Sequence, residues 1–297
     1  MVTIRPEMDE AKGIYRVLLL VRAAFRALRS NLLMLTGSVM LAIVLAVAIF
    51  APVLAPNDPY VTSSRLRLTD PSRDYPFGTD NFGRCTLSRL IYGARLSMSV
   101  GVAAVVGVMV LGVPYGLISG FFPHLDSIMM RVADAFMAFP TIILAIGIMA
   151  VLGSSATNVV IALVLVQWPR VARLIRSSVL QVRDIEYIEA VTSMGASTSR
   201  IIFRHILPNC MTPVIVQASF ILALTILSET SLSFLGVGAP PHIPSWGNML
   251  NLGSRFMRPA PWLAIYPGIA IMVTMLSANL LGDGLRDHLD PRMRGTK

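Results

Sequence analysis

The chain is 297 residues long, 55% hydrophobic and only 14% charged, with a formal net charge of +9. A soluble domain carries about a quarter charged residues, so this balance excludes an ordinary water-soluble globule and places the chain in a bilayer. The basic excess is not a nucleic-acid footprint, because the 25 Lys and Arg are spread over connecting segments rather than gathered on one face.

Residues 1–35 form a basic lead in which Lys12, Arg16, Arg22, Arg26 and Arg29 are spaced to face water and headgroups, the pattern of a membrane-surface helix. Crossing roughly 30 Å of hydrocarbon takes about 20 apolar residues. Six windows meet that need: 36–55, 97–121, 134–153, 157–175, 211–235 and 260–282. Their apolar runs are continuous and lack the alternation of barrel strands, so the expected fold class is all-α, a polytopic membrane protein with six transmembrane helices. The first window has the full length of a span and no plain small-residue cleavage site after it, so it is expected to stay in the mature protein.

A long external loop, 56–95, carries Pro56, Pro59, Pro71 and Pro76. In the second window Gly112, Gly116 and Gly120 recur every fourth residue, which bares backbone along one helix face for close packing. The alternative there is a hinge at Gly112-Val113-Pro114, where proline removes a helical hydrogen bond. Arg170 and Arg173 stand in the last turns of the fourth window, with their heads expected to reach the interface. The loop 236–259 is rich in Gly and Pro and is expected to fold back over the outer mouth. Most of the Lys and Arg fall on segments that share a side with the N-terminus, which predicts that both ends are cytoplasmic. Cys85 and Cys210 then lie on opposite sides, excluding a bridge within one molecule. His124, His205, His242 and His288 lack ligand spacing, and no metal site is expected.

The stretch 176–210 is a polar island between greasy windows. Asp184 is a candidate cap for a short helix, Glu186 suits its first turn, and Gly195 can end it in the left-handed conformation. Ile188, Val191 and Met194 recur every third residue as an apolar stripe, while Glu186, Glu189 and Ser193 stay polar. Ser197 or Thr198 offers a second helix start, and Pro208 is expected to close that segment before the fifth window. Periodicity alone allows either a surface helix packed on its own protein or a protruding dock.

The island EYIEAVTSMGASTSRIIFRHILPN, residues 186–209, resembles the EAA loop of membrane subunits in binding-protein-dependent ATP-binding-cassette importers. The matching positions are Glu189, Ala190, Val191, Gly195, Leu207 and Pro208; Val191 replaces the second alanine, and His205 stands where many relatives have isoleucine. The stretches GTDNFGRCTLSRLIYGARLS, HLDSIMMRVADAFMAFPTIILA and NLLGDGLRDHLDPRMR are similar to the C-type permease subunit of the dipeptide, oligopeptide and nickel branch. Cys85 departs from that pattern, since relatives usually carry aspartate there. The likeness spans about residues 76–294.

That resemblance implies the fold of a type I importer transmembrane domain over 95–286, preceded by the lead, first span and external loop (1–94) and followed by a cytoplasmic tail (287–297). It implies a coupling helix in a loop near 184–208 that sits in a cleft of an ATPase subunit, with Glu186, Tyr187, Glu189, Ala190, Val191, Met194 and Gly195 as the docking set. The partners it implies are a homologous B-type permease, two ATPase subunits and an extracytoplasmic solute-binding protein, all at a prokaryotic inner membrane. ATP and Mg would be held by the partner subunits, and the solute would be a peptide, a nickel chelate or a glutathione-like molecule.

The chain cannot supply the motor. A phosphate-cradling loop needs a lysine after its glycines, and the only lysines are Lys12 and Lys297, neither in such a setting. No nucleophile paired with a base stands in or beside the windows, so no enzyme activity is expected. The rival reading is an ion-coupled carrier or channel, which usually places ionisable groups deep in the bilayer. Only Glu229 qualifies, either lining the translocation path or pairing with a neighbouring helix.

Overall fold

The computed structural model describes residues 31–289; the expected surface helix and the end of the tail fall largely outside them. Helix α1 (Leu32–Ile49) starts behind Asn31, whose side-chain oxygen accepts the backbone N–H groups of Leu33 and Met34. These are donors that the first turn of a helix leaves open. A short turn, Ala51–Leu54, and an irregular stretch lead to α2 (Thr86–Phe121), then α3 (Pro123–Met137), α4 (Thr141–Leu152) and α5 (Ala156–Arg183). The small helix α6 (Glu186–Ser193) follows, then a continuous helical path that ends as α7 (Leu207–Phe234). Finally α8 (Trp246–Arg255) and α9 (Trp262–Leu289) complete an all-helical fold, in which the only β pairing among the described residues is an isolated bridge between Thr79 and Cys85.

Among the described residues five helices are long and apolar enough to cross a membrane, and six spans result if α3 and α4, bent by 87°, count as one. The third window is therefore not the straight helix that its apolar run suggested. Pro140 has no N–H to donate and pushes the residue before it out of the helical region, so the chain turns between Ala138 and Pro140 and restarts as α4. With 12 residues α4 is only about 18 Å long, short of the hydrocarbon thickness.

Close packing at glycine builds the centre. A Cβ on Gly112, Gly116 or Gly120 of α2 would stand 2.7 Å from the Cβ of Val171, Ile175 or Val179 of α5. Those three valine and isoleucine residues are fully buried. The packing reading of the glycine row holds, and α2 runs unbroken through Pro114 instead of hinging there. Helices α1 and α9 meet the same way: a Cβ on Gly37 would lie 2.5 Å from the Leu281 nitrogen, and one on Gly284 2.5 Å from that of Met34. Lipid is as apolar as leucine, so such tight backbone approach, rather than exclusion of water, holds spans together. Outward residues such as Val39, Ile43, Val106 and Val110 stay exposed, as a lipid-facing surface requires.

Two further expectations change. The fourth window continues in helix as far as Arg183, so the polar island begins later than hydropathy indicated. The loop 236–259 is not irregular throughout, since α8 starts at Ser245, whose hydroxyl accepts the Asn248 N–H. It docks through Trp246, 2% exposed, whose indole N–H donates to the Leu90 carbonyl of α2 at 3.1 Å.

Candidate functional site

At the end of the bundle where α5 stops, α6 lies as a two-turn shelf. Its first turn carries Glu186 and Glu189, whose negative charge suits the helix N-terminus. Asp184 does not cap it: the N-cap position is Ile185, and the Asp184 carboxylate instead accepts from Arg183 Nε at 3.0 Å. Asp184 stands one residue too early and its neighbour supplies a stronger donor.

The far end closes on Gly195, at φ +80°. The Gly195 N–H donates to Thr192 and the Ala196 N–H reaches back to Val191, which together satisfy the carbonyls the last turn leaves free. Open space surrounds Gly195, so it is the left-handed backbone and not crowding that calls for glycine.

The apolar stripe divides. Ile188, 3% exposed, and half-buried Val191 pack on a cluster that includes Ile175 and Val179 of α5, Ile201, Ile206 and Cys210. Met194, at 78% exposure, points away from that cluster. Tyr187 adds a polar anchor: its hydroxyl donates to the His205 carbonyl at 3.3 Å and accepts from the Asn209 amide at 3.0 Å. Outward stand Glu186, Glu189, Ala190, Thr192, Ser193, Met194 and Gly195, a patch of two carboxylates, two hydroxyls and one thioether that Tyr187, itself 40% exposed, borders.

The chain beyond the corner feeds straight into α7. Ser197 precedes a helical turn, Thr198–Arg200, which widens into a π-helical stretch, Ile201–Ile206, and then α7 begins. Pro208 does not end the segment as expected. The Leu207 N–H closes a wide bond to Ile202, and Pro208, which has no N–H to give, follows directly where the π-helical stretch passes into α7. The helical path from the corner is therefore continuous over Thr198–Phe234, a stretch long and apolar enough to cross a membrane.

Sequence reading missed how α3 is held. Arg176 of α5 chelates Asp126 of α3 with bonds of 2.5 and 2.6 Å, Arg173 pairs with Asp134 at 2.5 Å, and Arg170 donates to the Thr141 hydroxyl at 3.4 Å. Three arginines three residues apart form one face of α5, and that spacing was the available signal. Arg183 completes the row by donating to the Gly120 carbonyl at 3.1 Å.

Glu229 lies at the other end of the bundle, 1% exposed. Ser97 of α2 donates to one carboxylate oxygen at 3.0 Å and Ser233, one turn on, to the other at 2.9 Å. The Ser233 hydroxyl also accepts the Ala239 N–H, which ties the loop after α7 to the same knot.

A helical membrane bundle with a small anchored shelf beneath it, and an unbroken helix leading from shelf to span, is the architecture of a transport permease. Residues 112–295 match the family model of the binding-protein-dependent transport system inner membrane component, and residues 20–71 match the N-terminal transmembrane domain of oligopeptide transport permease C. The chain belongs to this family and is the membrane permease subunit of an ABC importer. It is 41% identical over 295 residues to a dipeptide transport system permease of Alkalihalophilus pseudofirmus, covering 99% of this chain and 97% of that one. It is 39% identical over 288 residues to the oligopeptide transport system permease of Bacillus subtilis, covering 96% and 94%. A glutathione transport system permease of Pectobacterium atrosepticum is 41% identical over 272 residues, covering 91% and 90%. The fold is similar to a solved chain of the inward-facing MetNI methionine ABC transporter, with a TM-score of 0.53 at 16% identity, covering 66% of this chain and 96% of that one.

Proposed function

We propose that this chain is one of two permease subunits in a bacterial peptide importer. It forms half of the pathway beside a homologous B-type permease, above two ATPase subunits that hold ATP and Mg, and receives solute from an extracytoplasmic binding protein. Dipeptides and oligopeptides are the favoured cargo, because relatives aligned over 97% and 94% of their length carry those substrates in their names. Both termini lie on the cytoplasmic side, as the distribution of basic residues suggests.

The observation that carries the coupling role is the division of α6 into two faces. Ile188, Val191 and Tyr187 fasten it to the bundle, while Glu186, Glu189, Ala190, Met194 and Gly195 are left outward. An element so fastened passes displacement to α7 instead of absorbing it. Glu189 is placed to meet a basic residue of the ATPase, and the small Ala190 and Gly195 allow close approach.

The test is co-purification with the cognate permease, ATPases and binding protein, followed by ATP hydrolysis and labelled dipeptide uptake in proteoliposomes. Loaded binding protein should stimulate both. Full-rate uptake by this chain alone, driven by an ion gradient without any nucleotide-hydrolysing subunit, would refute the proposal in favour of a secondary carrier.

A further inference from the structure

On the same end of the bundle as α6, a groove of about 610 Å³ opens between α5, α7 and α9. This volume falls within the roughly 300–1,000 Å³ of small-molecule sites. Its apolar floor includes Leu174 of α5 with Val216 and Phe220 of α7. Around that floor stand Gln181 of α5, Thr212 and Gln217 of α7, and Arg286 of α9. Thr212, Val216 and Phe220 repeat every fourth residue and Gln217 adjoins them, so one face of α7 presents both floor and rim. Among the described residues neither amide nor the guanidinium makes a side-chain hydrogen bond or ion pair.

Gln217 decides which environment the groove faces. It lies about 15 Å along α7 from Leu207, deep enough that an amide facing lipid would forfeit its hydrogen bonds at a cost of several kcal/mol on alkane scales. The groove is therefore turned to water or to another protein surface and not to lipid. One fixed positive charge and two carboxamides above an apolar floor complement a small molecule with a carboxylate, amide bonds and apolar side chains.

We infer that this groove is an exit-side binding site for the transported peptide, with Arg286 receiving the free C-terminal carboxylate and Gln181 and Gln217 bonding to the peptide amides. The inference rests on the peptide-importer reading and assigns to it a place where released solute lingers. Occupancy there would bear directly on α7, the helix into which the α6 corner feeds.

The probe is tritiated dialanine, compared with its C-terminal amide, binding to the assembled permease-ATPase complex in nanodiscs without nucleotide or binding protein. We expect dialanine to bind about tenfold more tightly than the amide, as loss of one charge-assisted bond implies. Arg286→Gln should lose that preference, Arg286→Lys should keep most of it, and Gln217→Leu should weaken both probes while preserving their ratio. Equal binding of acid and amide, or a preference that survives Arg286→Gln, overturns the inference. So does failure of the Arg286→Gln complex to assemble on size-exclusion, which would assign the groove to a subunit contact, or displacement of dialanine by phosphatidylglycerol, which would assign it to lipid. Stimulation of hydrolysis by loaded binding protein, measured on the same wild-type particles, separates the two failures. If stimulation is present and dialanine does not bind, only the exit site falls; if stimulation is absent, the importer reading falls with it.

Discussion

Arg176 and Asp126, fifty residues apart, are joined by two hydrogen bonds of 2.5 and 2.6 Å, Nε to one carboxylate oxygen and a terminal nitrogen to the other. The pair is only partly exposed, at 31% and 21% of the two side chains, and it holds the first half of a sharply bent unit against α5. By contrast Arg173 and Asp134 meet at 51% and 59% exposure, where water screens most of the attraction.

Asp126→Ala should therefore lower the unfolding free energy of the purified subunit by about 1–3 kcal/mol, against less than about 0.5 kcal/mol for Asp134→Ala. Thermal unfolding in one detergent, followed by tryptophan fluorescence, makes the comparison. Equal shifts for the two variants would mean that the bidentate geometry adds nothing.

Gly195 permits a graded test of the α6 corner. Gly195→Asn keeps access to the left-handed region and should retain most stimulated ATP hydrolysis. Gly195→Ala should cost about 1–2 kcal/mol of local strain without a clash. Gly195→Pro both fixes φ near −65° and removes the N–H that reaches Thr192, so stimulated hydrolysis should be lost. A Pro variant as active as wild type would show that the corner does not carry coupling.

The two faces of α6 should respond differently. Glu189→Lys changes an exposed side chain, so membrane insertion and melting temperature should hold while stimulated hydrolysis and transport fall. Ile188→Ala removes a buried foot and should cost about 2–4 kcal/mol locally, loosening the shelf and lowering coupling with the outward residues unchanged. If Ile188→Ala couples normally, displacement does not pass through that contact.

Glycine substitutions distinguish seam from surface. Gly112→Val puts atoms into Val171, where even a Cβ stands 2.7 Å from its nearest neighbour, whereas a Cβ on Gly147 of α4 meets nothing within 4 Å. Membrane-extracted Gly112→Val should be aggregated or degraded, and Gly147→Ala should behave as wild type on size-exclusion. Normal yields of both would contradict the close approach of α2 and α5.

Glu229→Gln retains hydrogen-bonding capacity toward Ser97 and Ser233, so assembly and transport should persist. Glu229→Ala leaves two buried hydroxyls unmatched and should cost about 1–3 kcal/mol. Assembly assayed by co-purification, together with dipeptide uptake, separates the roles. A Gln variant that assembles normally yet transports nothing would make the charge itself part of the pathway.

Composition and short-range spacing were enough for the helical class, the order of the apolar windows, the packing row at Gly112, Gly116 and Gly120, and the left-handed end at Gly195. Each follows from something local: the length of chain that crosses hydrocarbon, the missing Cβ, or the backbone angles only glycine adopts cheaply. Hydropathy does not register a turn, and so the break at Pro140 was hidden inside an apolar run. Equal greasiness likewise concealed the difference between Ile188, pressed into the bundle, and Met194, turned outward.

Tertiary structure alone decided which arginine holds which aspartate, where α8 docks, what Glu229 bonds to, and that Arg286 shares a groove with two glutamines. These are relationships between residues up to 156 positions apart, as for Trp246 and Leu90, and no window read along the chain contains both partners. A side chain's own chemistry states what it can bond to, whereas the folded backbone selects which of many equivalent partners comes within about 3 Å.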